Sequence, residues 1–255
     1  MDLGNADMTG AHRTRGSAAL AGAVAPALAH WRNRQDPRDH AQLTRDLRTR
    51  LGGHAAAVEA GLRVVVSPEV RRLTSLAESV DGGSPEHSRR VGRAAEAVAA
   101  RMGLDAHFIA LIRDAAPLHD VGKLEIPMSV LDKPGALTTR ERVVMQRHAE
   151  AGQAICDAAG DDAVLRMAAR IARSHHERWD GRGYPDGLSF DRIPLAARIV
   201  AVVDVYDALV AERPYKGAWS PSRALEFLRE NAGTQFDPDV VEAFVSLAER
   251  DELGA

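Results

Sequence analysis

The amino-acid sequence predicts an all-α fold. Aromatic residues make up only 4% of the 255-residue chain, and no strong run alternates apolar and polar residues as strands do. After residue 85, apolar residues recur instead with the spacing of amphipathic helices. Hydrophobic residues make up 45% of the chain, which is enough for a core of ordinary size.

Breaker residues divide the chain into three parts. Residues 1–28 are small, polar or alanine-rich, and we expect a disordered leader there. Residues 29–80 are rich in Arg, Ala and Leu and predict a helical segment of unknown role, interrupted at Gly52-Gly53 and Ser67-Pro68. The cluster DGGSP at residues 81–85 predicts a domain boundary, so residues 81–255 form the predicted main domain.

Helix signals begin soon after this boundary. Apolar stripes run over residues 91–102 and 108–115. A T-x-x-E capping box at residues 138–141 begins the next helix. This helix is predicted to continue to Ile155 and to carry His148 on its apolar side.

The second half of the main domain has equally clear helix signals. An apolar stripe over residues 164–175 ends at His175. Residues 199–209 are apolar almost all round, which is typical of a central buried helix. Ser220-Pro221 and Asp237-Pro238 each place a capping side chain before a first-turn proline, so they open the last two helices.

Composition restricts the partners and the metals. The formal net charge is −3, so no basic field predicts a DNA or RNA partner. The single cysteine, Cys156, excludes a disulfide framework and a thiolate metal cluster, and it favours a reducing, cytoplasmic location. No apolar run reaches the roughly 20 residues that a membrane span needs. A bound metal would therefore have imidazole and carboxylate ligands, which suit iron, manganese or zinc.

The ten histidines fall into two groups. Five occur singly in contexts typical of the protein surface, namely His12, His30, His40, His54 and His107. The other five lie within the main domain at positions that favour a shared site, namely His87, His119, His148, His175 and His176.

The pair His119-Asp120 follows an apolar helix and precedes Gly122, so both side chains can point to one place. A helix end where His119 and Lys123 compensate the helix dipole is the alternative interpretation. His148 is open to a similar alternative, because a core histidine is often a hydrogen-bonded packing residue.

The pair His175-His176 is harder to explain by packing alone. Neighbouring residues of a helix point about 100° apart, so both cannot face solvent while an apolar stripe leads into His175. Asp204 lies in the apolar run IVAVVDV, where a bare carboxylate is costly and is normally paired or metal-bound. Asp207, one turn later, either supports Asp204 or caps a neighbour.

Together the five imidazoles and two carboxylates, Asp120 and Asp204, are too many for one tetrahedral ion. They suit two ions with five or six ligands each, water included. The spacing therefore favours a dinuclear metal site.

Several linked motifs occur in a fixed order after residue 80. They are HDVGK at 119–123, IP at 126–127, LDKPG at 131–135, His148 with Gly152, HHERWDGRGYP at 175–185, DVYDAL at 204–209 and RPYK at 213–216. In these motifs the sequence resembles the HD-GYP branch of the HD superfamily of metal hydrolases. The resemblance implies an HD-type helical bundle, preceded here by a short helical extension, that hydrolyses cyclic di-GMP with two divalent metal ions, iron or manganese.

The resemblance also implies which residues hold these metals. The ligands of the first metal match His87, His119, Asp120 and Asp204. Those of the second match His148, His175 and His176, with the Asp120 position bridging both ions. Some members hold a third metal through a glutamate whose position is Gly83 here, so we expect two metals. Ala149 replaces a proline that is frequent in the family, which we expect to affect backbone shape and not ligation.

Further residues match positions that handle the substrate. Lys123 and Asp120 match catalytic positions, and the Lys123 ammonium would lie beside the scissile phosphate. Arg213 and Lys216 match phosphate-binding positions, and Tyr184 lies in a loop where an aromatic ring contacts the substrate. Trp179 and Asp180 are expected to hold this loop to the domain. A helix-terminus cation for Lys123 and a solvated basic face for Arg213 and Lys216 are the alternatives.

The implied reaction is hydrolysis of cyclic di-GMP to linear pGpG by a hydroxide that the two metals activate, with further cleavage to GMP left open. A hydrolase of another nucleotide phosphate ester is one alternative. A non-catalytic module that senses cyclic di-GMP or docks protein partners in second-messenger signalling is another. The N-terminal helices would suit a homodimer interface.

Overall fold

Helices form where apolar residues recur at helical spacing, and five of the described helices begin behind a capping side chain. The computed structural model describes residues 66–80, 85–212 and 217–253. The predicted leader and the predicted helices before residue 66 lie outside the described residues, and so do Gly83, Arg213 and Lys216.

The α-helices follow one another in this order: α1 (Pro68–Val80), α2 (Pro85–Arg101), α3 (Ala106–Ala115), α4 (Met128–Leu131), α5 (Thr139–Gln146), α6 (His148–Ala159), α7 (Ala163–Ser174), α8 (Leu195–Val210), α9 (Pro221–Glu230) and α10 (Pro238–Ala248). Three 3-10 turns lie at Ala116–Leu118, Val121–Glu125 and Phe190–Arg192. The described residues form no strand beyond one isolated bridge between Ala232 and Phe236. The all-α prediction is confirmed.

The predicted capping residues begin their helices. Thr138 accepts a hydrogen bond from the backbone N–H of Glu141, whose carboxylate accepts one from the Thr138 N–H at 2.7 Å. Ser220 and Asp237 likewise cap α9 and α10, each with a proline in the first turn. These caps satisfy N–H groups that have no partner inside the helix.

The prediction of a single helix from the Thr138 cap to Ile155 is wrong in one respect, because this stretch forms two helices. Helix α5 ends at Gln146 and α6 begins at His148. The carbonyl oxygen of Met145 accepts a hydrogen bond from His148 Nδ1 at 2.7 Å. A side chain that takes over a backbone carbonyl in this way competes with the helical hydrogen-bond pattern.

Helix α8 lies in the centre of the core, as its apolar sequence predicts. Its residues Ile199, Val200 and Val202 are fully buried. Helix α1 precedes the predicted boundary at residues 81–85, yet its Val70 and Ala77 are buried in the same core. The last part of the predicted N-terminal segment is therefore an integral part of the main hydrophobic core.

Helix α1 is also joined to the fold by a polar contact. Ser67 Oγ donates a hydrogen bond of 2.7 Å to Asp162, which caps α7 through the N–H of Leu165. Helix α1 packs mainly against the 3-10 turns Ala116–Leu118 and Val121–Glu125. None of the described helices is both long enough and apolar enough to cross a membrane.

The single cysteine gives a test of this core. Cys156 is fully buried on α6, and burial raises the pKa of its thiol to about 12. Because the thiolate is the reactive species, we expect Cys156 to be inert to a disulfide reagent such as DTNB at pH 8 while the protein is folded. Guanidinium-unfolded protein is the control and should release one equivalent of chromophore. Rapid stoichiometric labelling of the native protein would contradict the packing of α6.

Candidate metal centre

The predicted His119-Asp120 pair lies at the junction of two 3-10 turns that follow α3. His119 is only 1% exposed. Its Nδ1 donates to the carbonyl oxygen of Ala116 at 2.9 Å. Both side chains therefore leave the same tight turn and point into the protein.

Two glycines bring this turn against α6. A Cβ atom on Gly122 would lie 1.9 Å from the His148 carbonyl oxygen and 2.4 Å from the Gly152 nitrogen. A Cβ atom on Gly152 would in turn lie 2.9 Å from the Ala172 Cβ of α7. The backbones can approach this closely only because neither position has a side chain.

The first group of candidate ligands lies on one side of Asp120. Asp120, His148, His175 and His176 offer atoms that all lie within 4.8 Å of one another. Asp120 Oδ1 is 3.3 Å from His148 Nε2 and 3.7 Å from His175 Nε2. These residues come from the turn after α3, the start of α6 and the end of α7.

The second group lies on the other side of Asp120. His87, His119 and Asp204 offer atoms within the same 4.8 Å limit. Asp204 Oδ1 is 3.7 Å from the Nε2 atoms of both His87 and His119. Asp120 Oδ2 is 3.3 Å from His119 Nε2, so the Asp120 carboxylate contacts both groups.

Hydrogen bonds set the tautomer of three of these rings. The Nδ1 atoms of His119, His148 and His175 bond to the carbonyl oxygens of Ala116, Met145 and Ala172. A carbonyl oxygen only accepts, so each Nδ1 carries a proton and Nε2 is the ring atom left to contact the carboxylates. Metal-binding histidines likewise donate one ring N–H to a carbonyl or carboxylate and bind the ion through the other nitrogen.

The chemistry of these donors fits metal ions. Asp120 Oδ1, His148 Nε2 and His175 Nε2 are buried and have no hydrogen-bond partner in the described part of the chain. A buried polar atom without a partner costs about 1–3 kcal/mol. Divalent cations would supply the missing partners, and neutral imidazole with carboxylate is a donor set that iron, manganese and zinc accept.

The protonation states agree with this fit. Burial lowers the pKa of His148 to about 4, so its imidazole is neutral at pH 7. Burial also lowers the pKa of His176, and the neighbouring His175 and His148 lower it further. Burial alone would raise the pKa of Asp120, but Lys123 and His119 outweigh it, so the carboxylate stays ionised.

Asp207 contacts one of the candidate ligands, His87. His87 Nδ1 donates to Asp207 Oδ2 at 2.6 Å, and Arg90 binds both oxygens of the same carboxylate at 2.6 and 2.9 Å. Burial opposes ionisation of Asp207, but the bonds from Arg90 and His87 lower its pKa to about 2. A carboxylate that is ionised at neutral pH therefore orients the His87 ring. Sequence reasoning missed Arg90, whose only signal is its position three residues after His87.

Lys123 lies at the edge of the centre. Its Nζ is 2.6 Å from Asp120 Oδ2 and donates to that oxygen. The lysine thus places a positive charge directly beside the carboxylate that both groups share.

Tyr184 lies over the second histidine of the pair. Its ring stacks on His176 with a centroid distance of 4.8 Å and an interplanar angle of 25°. Glu177 holds this loop, because its carboxylate accepts the backbone N–H groups of Asp186 at 2.7 Å and Leu188 at 3.1 Å. Glu177 is part of the HHERWDGRGYP motif, but no local sequence signal predicts that it holds the loop.

The predicted structural roles of Trp179 and Asp180 agree with the backbone contacts. Their N–H groups donate to the carbonyl oxygens of Gln235 and Thr234 at 3.1 and 2.8 Å. These bonds hold the loop after α7 to the segment before α10. Arg213 and Lys216 lie outside the described residues, so their phosphate-binding role stays a prediction.

An all-helical fold that encloses two adjoining groups of histidine and aspartate donors defines a class, the helical proteins with a buried metal-binding centre. A family model described as the HD domain matches residues 71–240. The chain belongs to the HD domain family, in its HD-GYP branch.

Curated relatives agree with this assignment. The cyclic di-GMP phosphodiesterase response regulator RpfG of Xanthomonas campestris is 44% identical over 73% of this chain and 50% of its own length. A cyclic di-GMP phosphodiesterase of Thermotoga maritima is 42% identical over 69% of this chain and 47% of its own. The 3′3′-cGAMP-specific phosphodiesterase 2 of Vibrio cholerae is 42% identical over 66% of this chain and 33% of its own length. The chain spans half or less of the length of these relatives.

Solved structures share the fold at low sequence identity. A cyclic GMP-AMP specific phosphodiesterase of Vibrio cholerae aligns with a TM-score of 0.55 at 21% identity, over 72% of this chain and 49% of that one. An HD-GYP protein from Bdellovibrio bacteriovorus aligns with a TM-score of 0.52 at 18% identity, over 71% of this chain and 60% of that one. Both confirm the helical HD-type architecture.

The contact between Gly122 and α6 gives a first test of the centre. We expect Gly122→Ala to destabilise the fold by about 1–3 kcal/mol or more, because its Cβ would overlap backbone atoms that cannot move aside cheaply. Thermal or urea unfolding measures the change. Gly217→Ala is the matched control, since no atom lies within 4 Å of a Cβ there. Equal stability of the two variants would contradict the close approach.

The contact between Asp207 and His87 gives a second test. We expect Asp207→Ala to weaken Mn²⁺ binding roughly 10- to 100-fold, because loss of such an orienting partner typically costs that much. Isothermal titration calorimetry measures the affinity. Asp161→Ala removes a carboxylate that is 90% exposed and should leave binding unchanged. An Asp207→Ala protein with wild-type affinity would show that His87 needs no orienting partner.

Proposed function

We propose that this protein is a metal-dependent phosphodiesterase that hydrolyses cyclic di-GMP to linear pGpG. The observation that carries the proposal is the Asp120 carboxylate, whose two oxygens face two separate groups of imidazoles. A carboxylate placed between two donor groups suits a pair of metal ions. The names of the Xanthomonas and Thermotoga relatives support the choice of substrate.

Proximity supports a division of the candidate ligands between two ions. His87, His119, Asp120 and Asp204 would hold one ion, while His148, His175, His176 and Asp120 would hold the other. When bound, two such cations lower the pKa of water and neutralise charge on phosphate oxygens. Iron or manganese agrees with the nitrogen-rich donor set.

The side chains around the centre would bind the substrate and stabilise its developing charge. The Lys123 ammonium would stabilise charge that develops on the phosphate, or protonate the leaving oxygen. The Tyr184 ring beside His176 offers a flat face to the substrate. Arg213 and Lys216 would bind a phosphate, as cations that lie three residues apart.

Two alternatives make different predictions. A nucleotidase for another phosphate ester would prefer mononucleotides, whereas the loop that carries Tyr184 and the RPYK motif favour a dinucleotide. A binding module without turnover would be expected to lack ligands, yet all seven candidate ligands are present and close together. Some relatives are named as cGAMP-specific phosphodiesterases, so 3′3′-cGAMP is a second candidate substrate.

The decisive experiment combines metal analysis with turnover. Wild-type protein loaded with iron or manganese should contain about two metals per chain and convert cyclic di-GMP to pGpG. The double variant His119→Ala/Asp120→Ala should lose both metal and activity, because it removes the carboxylate shared by the two groups.

His107→Ala is the matched control, since His107 is exposed on α3 and lies outside both groups. It should keep metal content and turnover. The proposal fails if metal-loaded wild type leaves cyclic di-GMP intact, and the binding-module alternative replaces it if the intact dinucleotide binds tightly.

A further inference from the structure

A cavity of about 260 Å³ lies beside the candidate metal centre. His176, Asp204 and Tyr184 are among the residues that line it. Pockets that enclose a drug-sized ligand measure roughly 300–1,000 Å³, so this one suits one part of a dinucleotide. Its position next to the reacting centre makes that part a nucleoside unit attached to the scissile phosphate.

The walls of the cavity suit a base better than a phosphate. Ala201, Val205 and Phe236 contribute apolar surface, and Tyr184 contributes an aromatic ring. Flat apolar surfaces are the surroundings in which nucleobases stack.

Two arginines line the cavity, and they differ in their partners. Arg178 is held by Asp180, with hydrogen bonds of 3.1 and 2.9 Å from its guanidinium. For the guanidinium of Arg182, no side-chain hydrogen bond or ion pair is found within the described parts of the chain. Arg182 therefore has its donors available for a ligand.

The backbone at Arg182 is held firmly although its side chain is exposed. The Arg182 N–H donates to Asp180 Oδ1 at 3.1 Å. Gly181 has a φ of 77°, and a Cβ on Gly183 would lie 2.4 Å from the Arg178 nitrogen. The turn depends on these two glycines. It sets the position of the Arg182 Cα before any ligand binds.

We propose that Arg182 is a specificity-determining residue that recognises a guanine base in this cavity. A guanidinium donates two parallel hydrogen bonds to O6 and N7 of guanine. Adenine presents an amino donor in place of O6, which opposes an arginine donor. The inference rests on the proposed function, and it adds that guanine-containing dinucleotides are preferred over cyclic di-AMP because of this one side chain.

The test compares wild type with Arg182→Ala and Arg182→Lys. Binding of cyclic di-GMP, 3′3′-cGAMP and cyclic di-AMP is measured by calorimetry, and turnover of each is measured separately. Arg182→Ala should lose about tenfold or more in affinity for cyclic di-GMP, the cost of one bidentate contact to guanine, and should not change cyclic di-AMP binding. Arg182→Lys should not restore the lost affinity, because an ammonium cannot make the paired bonds.

Arg170→Ala on α7 is the matched control, an exposed arginine that does not line the cavity. It should behave as wild type with all three ligands. Equal losses for guanine and adenine ligands in Arg182→Ala, or full rescue by lysine, would mean a phosphate contact and overturn the inference. Equal affinity of wild type for cyclic di-GMP and cyclic di-AMP, or no binding of either, would also overturn it.

Binding and turnover separate this inference from the proposed function. A wild type that prefers guanine ligands in binding, and loses that preference in Arg182→Ala, supports Arg182 even without turnover. Absence of turnover in that case removes the proposed hydrolysis alone.

Discussion

The candidate centre depends on a single buried carboxylate, that of Asp120, and on the backbone contact that puts it in place. Gly122 lies directly on α6, at a distance that a side chain would prevent. This contact holds Asp120 between His119 on one side and His148 on the other. A buried carboxylate is costly unless positive charge lies close to it. Lys123 supplies one such charge at Oδ2, and bound cations would supply the rest.

Helix ends provide the second constraint. The last carbonyl groups of a helix have no partner within it. Ala116, Met145 and Ala172 lie in the last turns of helical segments, and their carbonyl oxygens each accept from the Nδ1 of a candidate ligand. One hydrogen bond therefore ties the ring to a helix terminus, fixes its tautomer and turns Nε2 toward the carboxylates. His119, His148 and His175 accordingly occur where helical segments stop or start.

Much of this arrangement could be predicted from the sequence, because local signals carry it. The caps at Thr138, Ser220 and Asp237 depend on side chains and N–H groups a few residues apart. Asp204 could be singled out because an ionised group in an apolar helix needs a partner. The interruption before His148 could not be predicted, since it depends on a ring that competes for a carbonyl and on a glycine turn from an earlier part of the chain. The bond between His87 and Asp207 joins positions 120 residues apart, and no local pattern encodes it.

Helix α8 carries both core residues and ionisable residues of the candidate centre. Its buried Ile199, Val200 and Val202 contribute to the core, while Asp204 and Asp207 lie on the same helix and face His87. Buried ionic groups often cost more in desolvation than they return, so apolar residues at both positions would favour a stable core. The fold instead surrounds Asp207 with Arg90 and His87, which keeps its carboxylate ionised where burial opposes it. The ionised Asp207 carboxylate thus fixes the orientation of the His87 ring, which is the arrangement that a candidate metal ligand requires.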